Sequence, residues 1–190
     1  NNFILTNNSW CASSTHNTEE IFIGQTHKIL KKKIKKLITI LIPRHIERSF
    51  DIKKDLESLN LNVQLHEPKT KIDPDMDIYL VNSYGKTKTF YNLCKNVFLG
   101  GSLINHGGQN PLEAARYGCN IIHGPNIQNF SEIYNFLKKN NISRRINSPK
   151  KMASVLNKLL KKKSNSKKIQ LKLKIIGKKI LESTYKEIKI

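Results

Sequence analysis

An arginine in this 190-residue sequence stands where it could hold a phosphate. Arg44 directly follows an apolar run that ends at Pro43, so it lies where a buried strand is expected to stop. Beside the exposed amides of a helix start, a guanidinium can bind a phosphate through two hydrogen bonds. An ion pair of Arg44 with Glu47 or Asp51 explains the same residue equally well, and both interpretations remain open.

A glycine-rich loop further along the chain has the composition of a ligand-binding turn. Gly100-Gly101 and Gly107-Gly108 bracket this loop, which ends at Asn110. Paired glycines let a backbone approach a ligand closely, and the following helix start favours anions, although simple turn formation is the commoner role of such pairs. Glu113, at the third position of that predicted helix, either caps the helix, which is its commoner role, or accepts two ribose hydroxyls.

Histidines are concentrated in or near the same loops. They are His16, His45, His106 and His123. His16 could contact a phosphate or act as an acid or base. No two of the four have the i, i+4 spacing of helical metal ligands and no H-E-x-x-H motif occurs, so we expect no metal site. The residues indicate a nucleotide- or phosphate-binding half-site without a catalytic pair of its own.

Two familiar nucleotide-binding motifs are missing from the sequence. Gly85-Lys86-Thr87 resembles the end of a P-loop, but Leu80 stands where the first glycine is required. No G-x-G-x-x-G follows a predicted strand, so the dinucleotide fingerprint is absent as well.

Short apolar runs alternate with amphipathic stretches along the chain. The runs predict strands at 10–13, 37–42, 63–66, 78–81, 96–99, 120–122 and 143–146. Helices are predicted from a cap at Asn17 to about Lys32, from Asn110 to Gly118, and at about 48–59, 86–94, 130–139, 149–162 and 166–186. This alternation predicts an α/β fold with a Rossmann-like, doubly wound parallel sheet. Ligands bind beyond the carboxyl ends of such strands, which selects the loops 13–19, 43–47, 82–86 and 100–113.

The strong positive charge is unevenly distributed. The chain has 34 Lys and Arg against 14 Asp and Glu, a net charge of +20, and residues 150–190 alone hold 14 Lys and two acidic residues. Lys, Ile and Asn make up 75 of the 190 residues, the bias expected of an AT-rich genome. Arginine, which nucleic-acid readers favour, occurs only five times. We interpret the excess of positive charge first as a biased surface with a basic tail. A contact with an anionic membrane is the second interpretation, and a nucleic-acid interface is the last.

Several classes of protein are disfavoured by the sequence. No run reaches the ~18 apolar residues of a membrane span, and no signal-peptide pattern opens the chain. Cys11, Cys94 and Cys119 form no C-x-x-C pair, and two of them lie in apolar runs, as expected for reduced buried thiols in a cytosolic setting. The chain begins at Asn1 without a Met, so we expect a fragment or a processed product.

Five short motifs occur in a fixed order along the chain. They are Ala12–His16 with Glu19-Glu20, Pro43–Arg48, Gly100–Leu103, Gly107–Glu113, and Gly124-Pro125 with Asn129-Phe130. Each motif is weak alone, but the series resembles the carboxy-terminal domain of bacterial 3-deoxy-D-manno-octulosonic acid (Kdo) transferases, glycosyltransferases that act on lipid A. The resemblance covers about residues 8–185.

The resemblance implies half of a GT-B glycosyltransferase, a fold of two facing Rossmann-like domains. Residues 1–148 would form the nucleotide-sugar (donor) domain, and residues 149–190 would form Lys-rich helices packed on it or extending from it. The amino-terminal domain, with the acceptor site, the membrane-associated segment and the catalytic carboxylate, would be missing, so no catalytic residue is expected here and the chain alone should be inactive.

The resemblance also implies a reaction and its partners. The whole enzyme would move Kdo, with inversion, from CMP-Kdo to a lipid A precursor in lipopolysaccharide biosynthesis. It would work at the cytoplasmic face of the inner membrane, without a cofactor or metal, while this fragment would be soluble. An anionic membrane surface is a further expected partner, and nucleic acid is not expected.

By resemblance, nine residues are expected to contact CMP. They are Pro43, Arg44, Tyr84, Gly85, Lys86, Asn110, Pro111, Leu112 and Glu113. Arg44 would lie on the phosphate side and Glu113 on the ribose. Ser14, His16, His45 and Ser102 are further candidates. The sequence departs from the family at Gln109 and Asn126, where histidine is usual, and at Lys86, where glutamate is usual.

Two other functions are compatible with the sequence. One is the donor domain of another GT-B transferase that uses a UDP- or GDP-sugar. The other is a non-catalytic domain that binds a nucleotide, or binds nucleic acid through its basic tail.

Overall fold

The computed structural model describes residues 7–67 and 70–188, and in this part of the chain seven strands form one parallel sheet. The strands are β1 (Asn8–Thr15), β2 (Leu37–Pro43), β3 (Val63–Leu65), β4 (Ile78–Leu80), β5 (Asn96–Leu99), β6 (Asn120–His123) and β7 (Ser143–Arg145). Their order across the sheet is β3-β4-β2-β1-β5-β6-β7, and every neighbouring pair is parallel.

Helices connect most of the strands. They are α1 (Glu19–Lys31), α2 (Ser49–Ser58), α3 (Thr87–Leu93), α4 (Leu112–Arg116), α5 (Ser131–Lys139), α6 (Pro149–Leu160) and α7 (Ser166–Ile188). Single 3-10 turns at Ile46–Arg48 and Gln128–Phe130 precede α2 and α5. These bounds agree with the predicted elements to within a few residues, as expected where helix ends fray.

The sheet is covered on both faces, each with its own apolar core. Trp10 and Ala12 of β1 face α1, α2 and α6, whereas Cys11 between them faces α3, α4, α5 and α7. All seven residues of β2 are buried, which explains its continuous apolar sequence. The predicted doubly wound α/β fold is therefore confirmed.

The predicted amino-terminal cap of α1 is wrong in detail. Thr18 precedes the helix in a left-handed conformation (φ 74°) and makes no side-chain cap. The Asn17 amide oxygen instead accepts hydrogen bonds from the Thr18 N–H (3.0 Å) and from Arg48 (3.1 Å). Glu20, three residues after Asn17, pairs with Arg48 and does not bond back to the start of the helix. The neighbouring Glu19 accepts the backbone N–H of His16.

The three cysteines are buried and form no disulfide, as predicted. Burial raises the pKa of Cys94 to about 11 and that of Cys119 to about 12. The thiols therefore belong to the core on the α3–α4 face and stay protonated at neutral pH.

The two Lys-rich helices pack on opposite faces of the sheet. Met152, Ala153 and Leu156 of α6 are buried in the core that α1 and α2 share. On the other face Ile169 of α7 is buried, and the Gln170 amide donates to the Arg116 carbonyl of α4 at 3.3 Å. Within the described ranges, no helix is both long and apolar enough to cross a membrane.

Candidate functional site

The strand order reverses at one point in the sheet. The chain leaves β1 towards β2 on one side and later reaches β5 on the other side of β1. In open parallel sheets, ligands bind outside the carboxyl ends of the strands at such a switch point. The loops 16–18, 44–45 and 100–111 surround it, and we call this surface the switch edge.

A buried carboxylate joins two loops of the switch edge. Glu19, at the start of α1, is 1% exposed and accepts four backbone N–H groups. Its Oε2 takes those of His16 (3.0 Å) and Gly101 (2.7 Å), and its Oε1 those of Ser102 (3.1 Å) and Leu103 (2.9 Å). Because a carboxylate has about four acceptor positions, this arrangement satisfies the group and fixes the β5–α4 loop to α1.

The ends of β1, β5 and β6 approach one another as closely as glycine allows. A Cβ at Gly100 would lie 2.2 Å from the Ser14 carbonyl oxygen, and one at Gly124 would lie 2.1 Å from that of Ser102. The Ser102 hydroxyl donates to the Leu99 carbonyl (2.6 Å) and accepts from the Gly124 N–H (2.8 Å). Ser102 is fully buried, so this candidate joins two strand ends and is not exposed to a ligand. Ser14 is half-buried at a bulge of β1, with φ 55°.

Three histidines meet at the switch edge. The ring of His16 lies 4.5 Å from that of His106 and 5.8 Å from that of His45, centroid to centroid. The Gln109 amide nitrogen is 3.5 Å from Nε2 of His16. Burial, together with the neighbouring imidazoles and Arg44, lowers the pKa of His16 to about 4, so the free protein holds it neutral at pH 7. We call His16, His45 and His106 the imidazole cluster.

The Arg44 side chain is exposed beside this cluster. Its backbone N–H donates to the Thr15 carbonyl at 2.9 Å, which holds the end of β2 against the end of β1. The guanidinium has no hydrogen bond or ion pair with any residue that the structure describes. Glu47, one predicted partner, lies instead 3.3 Å from Nδ1 of His45, so the surface ion pair expected as an alternative does not form.

A second arginine is fully engaged. Arg48 donates to Oε1 of the buried Glu20 at 3.2 Å and to the Asn17 side chain at 3.1 Å. Burial raises the pKa of Glu20, and the Arg48 contacts only partly offset this effect. Arg48 therefore fastens the turn after β2 to the start of α1 and differs in this respect from Arg44.

The start of α4 presents a carboxylate and an amide. The Asn110 side chain accepts the Leu112 N–H at 3.0 Å, but the residue directly before the helix is Pro111, one position later than predicted. Pro111 is buried and Leu112 half-buried, whereas Asn110 and Glu113 are exposed. The Glu113 carboxylate makes no hydrogen bond in the described part of the chain, so it does not cap the helix. The nearest cation is Lys88 of α3, whose Nζ is 4.0 Å from Oε1.

The turn from β4 into α3 contains the remaining residues that were predicted to contact CMP. Tyr84 is 70% exposed, Gly85 has φ +75°, and Lys86 is exposed directly before the helix. The Tyr91 and Ser13 hydroxyls lie 2.8 Å apart, which places α3 across β1. The 4.0 Å distance from Lys88 Nζ to Glu113 Oε1 shows that the first turns of α3 and α4 are neighbours.

The sequence is similar to those of known proteins. The chain is 34% identical over 129 residues to the 3-deoxy-D-manno-octulosonic acid transferase of Haemophilus influenzae, covering 67% of this chain and 30% of that protein. It is 29% identical over 156 residues to the enzyme of the same name from Aquifex aeolicus, covering 82% of this chain and 43% of the relative. The chain therefore spans less than half the length of these relatives. No protein-family model matches it.

Solved structures share the fold. The carboxy-terminal CMP-Kdo binding domain of WaaA from Acinetobacter baumannii superposes with a TM-score of 0.80 at 24% identity, covering 89% of this chain and 88% of that one. The carboxy-terminal domain of a group 1 glycosyl transferase, LpcC of Francisella tularensis, gives 0.54 at 15% identity, with 85% and 77% covered. The chain belongs to the Kdo transferase family.

The five sequence motifs meet at one edge of this Kdo transferase domain. Glu19 binds the Gly100–Leu103 motif, and the Arg44 N–H binds the end of the first motif. The Asn129 N–H of the last motif donates to the Gly107 carbonyl at 3.2 Å. Motifs that are far apart in sequence thus form a single surface.

Sequence reasoning missed two residues that shape this Kdo transferase domain. The first is Glu19, whose role depends on amides 82 to 84 residues away. The second is Tyr134 of α5, whose hydroxyl donates to the Gln109 carbonyl at 2.9 Å. The signal for Glu19 was the run of loop amides after β5, which needed an acceptor. No group of three or more His, Cys, Asp or Glu in the described ranges is arranged to hold a metal ion.

Proposed function

We propose that this chain is the donor-binding half of an inverting Kdo transferase and that CMP-Kdo binds at the switch edge. One observation carries the proposal: the five family motifs converge there and leave Arg44 and Glu113 exposed, with no hydrogen bond to any described residue. The relatives are named as Kdo transferases, and the domain of WaaA is described as binding CMP-Kdo.

The exposed groups suit the parts of a nucleotide. The Arg44 guanidinium holds the phosphate through paired hydrogen bonds. The Glu113 carboxylate accepts the two ribose hydroxyls, and Asn110, Pro111 and Leu112 fix its position at the start of α4. Pro43 sets the approach of Arg44.

The turn between β4 and α3 completes the nucleotide pocket. Tyr84 supplies an exposed aromatic face, Gly85 the left-handed turn, and Lys86 a positive charge for the phosphate. Because Lys88 lies near Glu113, this turn closes on the ribose side of the same pocket.

The whole protein would transfer Kdo from CMP-Kdo to a lipid A precursor, at the cytoplasmic face of the inner membrane. The general base that activates the acceptor hydroxyl lies in an amino-terminal half that this chain does not span. The domain binds its donor without a metal ion or cofactor, and alone it does not turn over.

A lipid surface is a further proposed partner. Leu171 and Ile175, one helical turn apart on α7, are 59% and 47% exposed. Four exposed lysines flank them, Lys167, Lys168, Lys174 and Lys178. An apolar ridge between cations fits an anionic bilayer, where each lysine contributes about 1 kcal/mol.

Calorimetric titration of the chain with CMP, UMP and GMP tests the donor proposal. We expect CMP to bind at least about tenfold more tightly than the other two, and Arg44→Ala and Glu113→Ala each to weaken CMP binding about tenfold, as for loss of one charge-assisted contact. Arg116→Ala and Glu132→Ala, which remove exposed residues of α4 and α5, serve as matched controls and should bind CMP normally.

Two results would contradict the proposal. Equal affinity for the three nucleotides favours a transferase of another nucleotide-sugar. Absence of CMP binding by a chain that circular dichroism shows to be folded rejects donor binding by this domain.

A further inference from the structure

The imidazole cluster lies in a region of uncompensated positive charge. The guanidinium of Arg44 faces His16 and has no acidic partner in the described part of the chain. Each nearby carboxylate is already engaged. Glu47 pairs with His45, Glu20 pairs with Arg48, and Glu19 is occupied by backbone amides. A ligand that carries negative charge would complete this region.

The first part of the glycine-rich loop has no free backbone N–H groups to offer an anion. In phosphate-binding loops, successive N–H groups point at the ligand. Here the N–H groups of Gly101, Ser102 and Leu103 all donate to the Glu19 carboxylate. Beside residues 101–103, contacts to an anion must therefore come from side chains of the switch edge.

The loop is shaped to hold His106 against His16. Gly101 adopts φ +64°, and a Cβ at this position would lie 2.8 Å from Cδ2 of His106. The Asn129 amide donates to the His106 carbonyl at 3.2 Å and fixes its backbone. Two imidazole rings from separate loops thereby lie side by side, with their centroids 4.5 Å apart, next to Arg44. No metal-binding arrangement of His, Cys, Asp and Glu exists in the described ranges, and hydrogen bonding to an oxyanion is the chemistry these rings suit.

We propose that His16 and His106, beside Arg44, form an oxyanion site that takes the phosphate or the sugar carboxylate of a nucleotide-linked sugar acid. The identification of the ligand rests on the proposed donor function. The evidence for an oxyanion site is the geometry of the imidazole cluster and does not depend on that function.

Protonation should accompany binding at this site. The groups facing His16 are the cations or potential cations His106, His45, Arg44 and Arg48 and the engaged acids Glu19, Glu20 and Glu47. A bound oxyanion adds an opposite charge and favours the imidazolium form, so the pKa of His16 should rise above its value of about 4 in the free protein. Affinity for the anion should consequently increase as the pH falls from about 6 towards 4.

Three probes locate the oxyanion. Cytidine carries no anionic group, CMP adds the phosphate, and CMP-N-acetylneuraminate, a CMP-linked sugar acid, adds a carboxylate. We expect His16→Ala and His106→Ala to change the affinity for cytidine by no more than about twofold from that of the unsubstituted chain. The same variants should bind CMP-N-acetylneuraminate at least about tenfold more weakly. If the variants lose affinity for CMP as strongly as for CMP-N-acetylneuraminate, the site binds the phosphate. If only their affinity for CMP-N-acetylneuraminate falls, the site binds the carboxylate. Folded variants that bind all three probes normally overturn the proposal.

A titration by NMR separates this site from the donor function. Sodium sulfate, compared with sodium chloride at equal ionic strength, should raise the pKa of His16 by about one unit or more, and Arg44→Ala should reduce that rise. A His16 pKa that sulfate leaves unchanged overturns the oxyanion site. If sulfate raises it but CMP and UMP bind alike, only the proposed donor function fails.

Discussion

The Glu19 carboxylate accepts a hydrogen bond from the backbone N–H of Ser102 at 3.1 Å, although 83 residues separate the two in sequence. With the adjoining amides of Gly101 and Leu103, this contact makes the start of α1 and the loop after β5 one unit. The position of the imidazole cluster depends on it, because His16 and His106 come from these two segments.

Replacing the buried carboxylate should therefore be costly. Glu19→Gln keeps the size of the side chain but turns an NH2 group towards backbone N–H donors, leaving at least one buried donor unpaired. We expect the free energy of unfolding in urea to fall by about 2–4 kcal/mol. The matched change Glu132→Gln, at an exposed position of α5, should alter it by no more than about 0.5 kcal/mol. Equal effects of the two changes would contradict the role of Glu19.

Glycine at position 100 is required by the approach of two strand ends. A Cβ there would lie 2.2 Å from the Ser14 carbonyl oxygen, a backbone atom that cannot move without displacing β1. Gly100→Ala should lower the free energy of unfolding by about 3 kcal/mol. Gly177→Ala is the control, because a Cβ at this exposed helical position meets nothing within 4 Å and should stabilise α7 by about 0.5–1 kcal/mol. A tolerated alanine at position 100 would show that the strand ends are further apart.

The fold was accessible from the sequence because its signals are local. The fully apolar run of β2 predicted a strand buried on both faces. At α4, Asn110 followed by Pro111 marked a helix start that the structure confirms. The alternation of such runs with helices was sufficient to predict the parallel sheet, since the connection between parallel strands must cross a face.

The candidate site was predictable only as a set of loops. Arg44, His16 and Glu113 were identified because each follows or precedes a strong element signal. Their partners were not, because contacts such as Glu19 with Leu103 or His16 with His106 join residues that are near only after the sheet has formed. The error at the cap of α1 has the same origin, since Arg48 competes for both Asn17 and Glu20. The CMP contacts stay predictions.

Acid stability provides a test at the opposite end of the sheet. Asp77 is 4% exposed, and burial alone would raise its pKa, but hydrogen bonds from His27, Lys31 and the Asn62 N–H lower it to about 2. A carboxyl group whose pKa falls on folding stabilises the protein above its unfolded pKa of 3.8 and loses that effect as the pH drops towards 2.

Asp77→Asn should thus lower the free energy of unfolding by about 2 kcal/mol at pH 6, and the difference from the unsubstituted chain should vanish near pH 2. Urea unfolding of both proteins at a series of pH values measures this difference in the free energy of unfolding. Asp75→Asn, at an exposed position two residues earlier, is the control and should follow the unsubstituted chain throughout. A difference that does not depend on pH would show that Asp77 acts through packing alone.

The exposed ridge on α7 predicts binding to anionic vesicles. Gln170 donates to the Arg116 carbonyl, and Leu173 and Gly177 line one cavity with Leu112 and Arg116, so α7 runs along α4. A membrane bound to its outer surface would therefore lie beside the donor site. We expect co-sedimentation with vesicles rich in phosphatidylglycerol, reversal by high salt, and little binding to phosphatidylcholine.

Paired variants separate this local surface from the general charge of the protein. Lys168→Glu with Lys174→Glu should weaken vesicle binding at least about tenfold, because each lysine near an anionic surface contributes about 1 kcal/mol. Lys33→Glu with Lys35→Glu makes the same change in net charge among exposed residues after α1 and should weaken it less. Leu171→Asn with Ile175→Asn should reduce the binding that persists in salt. Equal loss in the two charge-reversal pairs would mean that the bilayer is attracted by net charge and not by α7.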